Sequence, residues 1–105
     1  MELNTEAFAR VVADTHWSFQ NRMHWGFYFT NESKEPLVIA AKTLGLFGYR
    51  FVDLSQDQQK ERWWLHLDRV EIHTVETIST RDIQLARFGD LAGFSTYVGW
   101  DVAAE

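Results

Sequence analysis

The sequence predicts an α+β domain in which two helices lie against one face of a four-stranded antiparallel sheet. Three observations lead there. Apolar residues alternate at period two in three separate stretches, the signature of half-buried strands. Two stretches between them instead carry apolar residues at i, i+3, i+4 and i+7, the spacing of one helix face. After a leading helix, the order of these elements is β-α-β-β-α-β.

Asn4 or Thr5 caps the leading helix, whose Phe8, Val11 and Val12 share one side before it fades near His16. Residues 24–30 form the first strand, with Trp25, Phe27 and Phe29 on one face. Ser33 caps the next helix, and Pro36 falls in its first turn, where a missing N–H does no harm. Leu37, Ala40, Ala41, Leu44 and Phe47 make its apolar side, and Gly48 stops it. Residues 49–54 give a second strand, and the polar run 55–61 a hairpin loop. The third strand covers 62–74. Trp63, Leu65 and Leu67 share one face, but Val70 and Ile72 have the opposite parity, which predicts a β-bulge near Asp68 and Arg69. A further helix opens at Ser79, with Asp82 at the capping-box position, and ends at Gly93. Residues 97–102 complete the sheet with Val98, Trp100 and Val102 on one face. Gly99 interrupts that strand and marks a bulge or the close approach of another group. This order is the split βαβ of ferredoxin-like folds, with an extra N-terminal helix.

With 105 residues, the chain reads as one domain spanning 1–105. At 46% hydrophobic and 15% aromatic residues, it can bury a core without staples. The absence of cysteine excludes disulfides and thiolate metal sites. No apolar run reaches membrane-spanning length and no signal pattern opens the chain, so the cytoplasm is the expected location. The net charge of −5, with dispersed basic residues, disfavours holding a phosphate backbone directly. A basic protein surface is the more natural partner.

Chemistry-bearing patterns are sparse. His66 with Asp68, and Glu71 with His73, alternate onto shared strand faces and offer imidazole and carboxylate donors. The same period-two spacing marks any solvated strand face. No nucleophile elbow and no phosphate loop occurs. Carboxylate pairs such as Asp53 and Asp57, or Glu71 and Glu76, show nothing that would split their acidities. Aromatic residues are what the chain has in excess. Trp63 and Trp64 are adjacent in a strand, so they point to opposite faces. With Trp63 in the core, Trp64 stands on the second face, where Tyr28, Tyr49 and Tyr97 are candidates to join it. Such a face fills a helix–sheet seam, binds a protein through Trp and Tyr, or stacks RNA bases. The acidic balance weighs against the last.

Several short motifs then fall in a recognisable order. Phe27-Tyr28-Phe29 closes the first strand, residues 44–49 read LGLFGY, and Trp63-Trp64-Leu65 opens the third strand. Leu91-Ala92-Gly93 precedes Tyr97-Val98-Gly99-Trp100-Asp101. In this order they resemble the regulator of ribonuclease E activity B (RraB) family, whose signature closes on YDGWE. Val98 and Asp101 depart from that signature at its two acidic positions. The resemblance implies a ferredoxin-like domain that is not an enzyme, carries no cofactor or metal, and inhibits ribonuclease E by binding the nuclease or its degradation complex. On that reading Asp57, Glu61, Asp68 and Glu71 supply acidic contacts, and Trp64, Tyr97 or Trp100 an aromatic anchor. The competing reading is a small-molecule or metal-binding ferredoxin-like domain, including a dimeric enzyme formed by packing two sheets together.

Overall fold

A computed structural model of the chain describes residues 22–92 and 96–104. The expected helix around Phe8 to Val12 and the stop at Gly93 lie outside those residues. Strand β1 (Met23–Asn31) runs between β3 (Trp63–Glu71) and β4 (Thr96–Ala104), antiparallel to both. Strand β2 (Arg50–Gln56) pairs with the far side of β3, giving the order β2-β3-β1-β4. Helices α1 (Lys34–Gly45) and α2 (Val75–Ala92) complete the α+β architecture.

Alternation along β1 drives the packing. Trp25, Phe27 and Phe29 point toward the helices and are fully buried, with Leu65 and Leu67 of β3 beside them. Leu37, Ala40 and Leu44 of α1, and Ile78 and Leu85 of α2, close the same core. Each buried ring contributes roughly 2–3 kcal/mol by loss of apolar contact with water, so this one face supplies much of the net stability.

Helix α1 begins as its sequence predicts, with Ser33 at the N-cap, but the Ser33 side chain makes no capping bond. Instead Asn31 Oδ1 accepts from the Ser33 N–H at 2.8 Å. The helix ends at Gly45, so Phe47 lies beyond it and is exposed, while Gly48 takes the reversing conformation at φ 95°. Helix α2 starts four residues earlier than its Ser79 signal predicts. Thr74 and Thr77 cap each other: the Thr77 N–H donates to Thr74 Oγ1 and the Thr74 N–H to Thr77 Oγ1. Asp82 is therefore a mid-helix residue, and it accepts from the Tyr97 hydroxyl at 2.6 Å.

The bulges also fall elsewhere than expected. β1 and β3 pair without interruption from Met23↔Glu71 to Asn31↔Trp63. The apolar pattern of β3 slips because Arg69 and Glu71 carry ion pairs on the helix side, leaving Val70 to the other face. Strand β3 ends at Glu71, so Ile72 is outside it and exposed. One irregularity lies in β2, where Phe51 pairs with Leu67 and Asp53 with His66, making Val52 the extra residue. The second lies in β4, where Tyr28 pairs with Gly99 but Phe29 with Tyr97. Val98 is thus extra and exposed, while Tyr97, Trp100 and Val102 all pack against the core. The expected single face for Val98, Trp100 and Val102 is broken by that inserted residue.

Gly99 sits in this bulge at φ 148°, and among the described residues a Cβ added there would meet nothing within 4 Å. Backbone conformation, not close approach, requires the glycine. Gly99→Ala is expected to cost about 1–2 kcal/mol in urea denaturation through strain alone. A substitution without cost would show that the bulge has no need of glycine.

Candidate functional site

The face turned away from the helices takes the even-numbered residues of the two central strands. β1 contributes His24, Gly26, Tyr28 and Thr30, and β3 contributes Trp64, His66, Asp68 and Val70, paired in that antiparallel order. Arg50, Asp53 and Ser55 of β2 pair with Asp68, His66 and Trp64, and Gly99 and Asp101 of β4 pair with Tyr28 and Gly26. Phe51 and Val52 on the edge strand are exposed, and Phe51 and Leu54 line an apolar hollow of about 340 Å³ with Val38, Ala41 and Lys42 of α1.

Two polar groupings occupy this outer face. Asp68 is buried and takes both His24 Nδ1, at 3.0 Å, and Arg50 Nη2, at 3.1 Å, on one carboxylate oxygen. Beside it, the Tyr28 and His66 rings stack with centroids 4.4 Å apart and planes at 20°. The Tyr28 hydroxyl donates to Asp101 Oδ2 at 2.6 Å. Gly26 makes this possible: a methyl group on it would collide with Asp101 Oδ1 and His66 Nε2. Burial, followed by the hydrogen bond to Asp101 and its charge, pushes the Tyr28 hydroxyl well above the ordinary tyrosine range, so it stays a donor.

The residues singled out from the sequence are divided by strand parity. Trp64 and Asp68 lie on the outer face, Trp64 half-buried. Asp57 and Glu61 lie in the β2–β3 hairpin at the Trp64 end of the sheet, where Asp57 Oδ1 accepts from the Glu61 N–H at 2.8 Å. Glu71, Tyr97 and Trp100 are on the helix side. The rings of Trp100 and Trp25 meet at 5.2 Å, and Tyr97 packs on Phe29 at 5.3 Å. Tyr49 is also on the helix side, against Phe27, so of the three tyrosines only Tyr28 reaches the outer face. His66, Gly26 and Asp101 were not singled out as an outer-face group; the shared even parity of β1 and β3 was the available signal.

The proposed donor pairs also separate. His66 stacks on Tyr28 while Asp68 binds His24 and Arg50. Glu71 and His73 instead belong to an ion-pair cluster beneath the sheet. Arg81 grips Glu71 bidentately at 2.6 and 3.2 Å, His73 Nε2 approaches Glu71 Oε1 at 2.8 Å, and Arg69 Nε lies 3.2 Å from Glu71 Oε2. Among the described residues, no group of three or more histidine, aspartate or glutamate side chains is arranged to hold a metal ion. Among them, too, no helix is long and apolar enough to cross a membrane.

A sheet packed on one side and presenting rings and carboxylates on the other defines an α+β domain with a structured outer surface. The family model described as regulator of ribonuclease activity B matches residues 2–102, and the chain belongs to that family. Membership implies regulation of ribonuclease activity, and the family's description is that of a regulator and not of an enzyme. No curated protein sequence matches the chain.

The Glu71 cluster gives the fold an acid limit. Burial is the largest influence on Glu71 and opposes its ionisation. Hydrogen bonds from His73 and Arg81, with their charges, outweigh it and hold the carboxyl below the usual value of 4.5. A carboxyl depressed on folding adds stability that is present above its unfolded value and is lost as pH falls through its folded one. Stability is therefore expected to decline as pH drops below about 5, and Glu71→Gln to flatten that decline while lowering stability at pH 7. An unchanged acid limb in Glu71→Gln, measured by denaturant titration across pH, would assign the effect to other groups.

Proposed function

We propose that this chain regulates RNA degradation in the cytoplasm as a non-enzymatic protein-interaction module, binding ribonuclease E or its degradation complex. The observation that carries this reading is Trp64. It stands half-buried on the outer face, at the end of the sheet nearest the Asp57 and Glu61 hairpin, with Asp53 and Asp68 on the same face. An indole on a face that also carries carboxylates has the composition of an anchor for a basic protein surface. The net charge of −5 supports the same polarity of partner.

In this arrangement Trp64, Asp57 and Glu61 make contact and Asp68 fixes the local charge pattern. Tyr97, Trp100 and Glu71 act from beneath, by holding β4 and the end of β3 against the helices. The β2-β3-β1-β4 order supports a ferredoxin-like domain as the scaffold, spanning residues 1–105.

The test uses purified ribonuclease E and the full chain, with cleavage rate and calorimetry as readouts. Wild type is expected to bind and slow cleavage. Trp64→Ala is expected to weaken binding by about tenfold or more, with only a few degrees' change in melting temperature. A folded wild-type chain that neither binds nor slows the enzyme would overturn the target. A collapse of stability in Trp64→Ala would instead place the indole in a structural role.

A further inference from the structure

Tyr28 stands between two cross-strand neighbours, His66 on β3 and Gly99 on β4. His66 covers one face of the phenol ring by stacking on it at 4.4 Å. On the other side of Tyr28, the residue paired with it in β4 is Gly99, which has no side chain. The space above Gly99 is open among the described residues: a Cβ built at that position meets none of their atoms within 4 Å. Beside this gap stands Asp101, an exposed residue whose carboxylate is held against the ring by the 2.6 Å bond from the Tyr28 hydroxyl. The same glycine that permits the bulge in β4 thus places no side chain on the β4 side of the half-buried Tyr28, next to a fixed carboxylate.

We propose that Tyr28, Gly99 and Asp101 form a slot for an arginine side chain presented by a basic protein partner. The proposal rests on the reading of the outer face as the partner-binding face and names the chemistry that face selects. A guanidinium is planar, stacks on an aromatic face and donates several N–H bonds in its own plane to a neighbouring carboxylate. An ammonium is a compact, strongly hydrated charge and gains less from the ring. Charge argues for the same occupant. Asp53, Asp68 and Asp101 lie on this face against two arginines. Arg50 is already paired with Asp68, and Arg62 Nε donates to Thr30 Oγ1 at the far end of the face. The carboxylate beside Tyr28 therefore has no arginine partner among the described residues. Phosphates of a nucleic acid would be repelled, and a second copy of the sheet would bring three further carboxylates.

The experiment titrates the full chain with two synthetic peptides, four Gly-Arg repeats and four Gly-Lys repeats, following backbone amide and tyrosine ring NMR signals. The arginine peptide is expected to bind about fivefold more tightly, with the largest shifts at Tyr28, Gly99 and Asp101. Tyr28→Leu is expected to abolish the preference while leaving a weaker, salt-sensitive affinity for both peptides. Asp101→Asn is expected to weaken both, and it serves as the second probe if Tyr28→Leu fails to fold. Equal affinities in the wild type, shifts centred elsewhere, or no binding of either peptide would overturn the slot. The two readings fail separately. Ribonuclease E bound equally by wild type and Tyr28→Leu removes the slot and leaves the partner. Selective arginine binding at the slot by a chain that ignores ribonuclease E removes the nuclease and leaves the slot.

Discussion

Trp25, Phe27 and Phe29 occupy alternate positions of the central strand and have no solvent exposure. β1 therefore cannot slip by one residue without turning three aromatic rings into water, at a combined cost on the order of 6–9 kcal/mol. That is comparable to the whole net stability of a small domain, so the register of β1 is the constraint that all other positions inherit. Because β1 holds both β3 and β4, its parity decides which residues of three strands face outward. Gly26, Tyr28, His66, Asp68 and Asp101 meet on one surface for that reason, although they are distant in sequence.

The ion-pair cluster beneath the sheet has a different role. Glu71, Arg81, His73 and Arg69 bring charge under the end of β3, where the apolar core gives out. Desolvation consumes most of what such pairs gain, so they add little to stability compared with the rings beside them. Their effect is on geometry. Arg81 ties α2 to β3, Arg69 donates to the Phe47 carbonyl after α1, and the Trp25 indole donates to the Glu71 carbonyl. Three connections thus converge on one strand end, which orients both helices against the sheet.

On the proposed reading, function belongs to surface chemistry and not to a reactive centre. A regulator that works by binding must present a stable shape and charge to its partner, and the outer face proposed for that role carries side chains that are themselves tied down. Asp68 is held by His24 and Arg50, and Asp101 by Tyr28. Such preorganisation reduces the ordering cost of association, which otherwise cancels much of the contact energy.

The sequence by itself determined the α+β class, the burial of Trp25, Phe27 and Phe29, the opposite facing of Trp63 and Trp64, and the family to which the chain belongs. Those properties depend on local periodicity and on short motifs in order, and both are written along the chain. Tertiary structure decided the rest. Helix α2 begins at Thr74 and Thr77 because two threonines satisfy each other's amides, a signal that the Ser79 and Asp82 spacing obscured. Glu71 faces the helices because Arg81 is there to receive its charge, and no strand pattern announces an ion partner ten residues away. The bulge at Val98 carries Tyr97 and Trp100 onto one face by inserting a residue into the pairing with β1. A glycine at position 99 was visible as an anomaly, but only the neighbouring strand shows that Tyr28 is the residue paired with it.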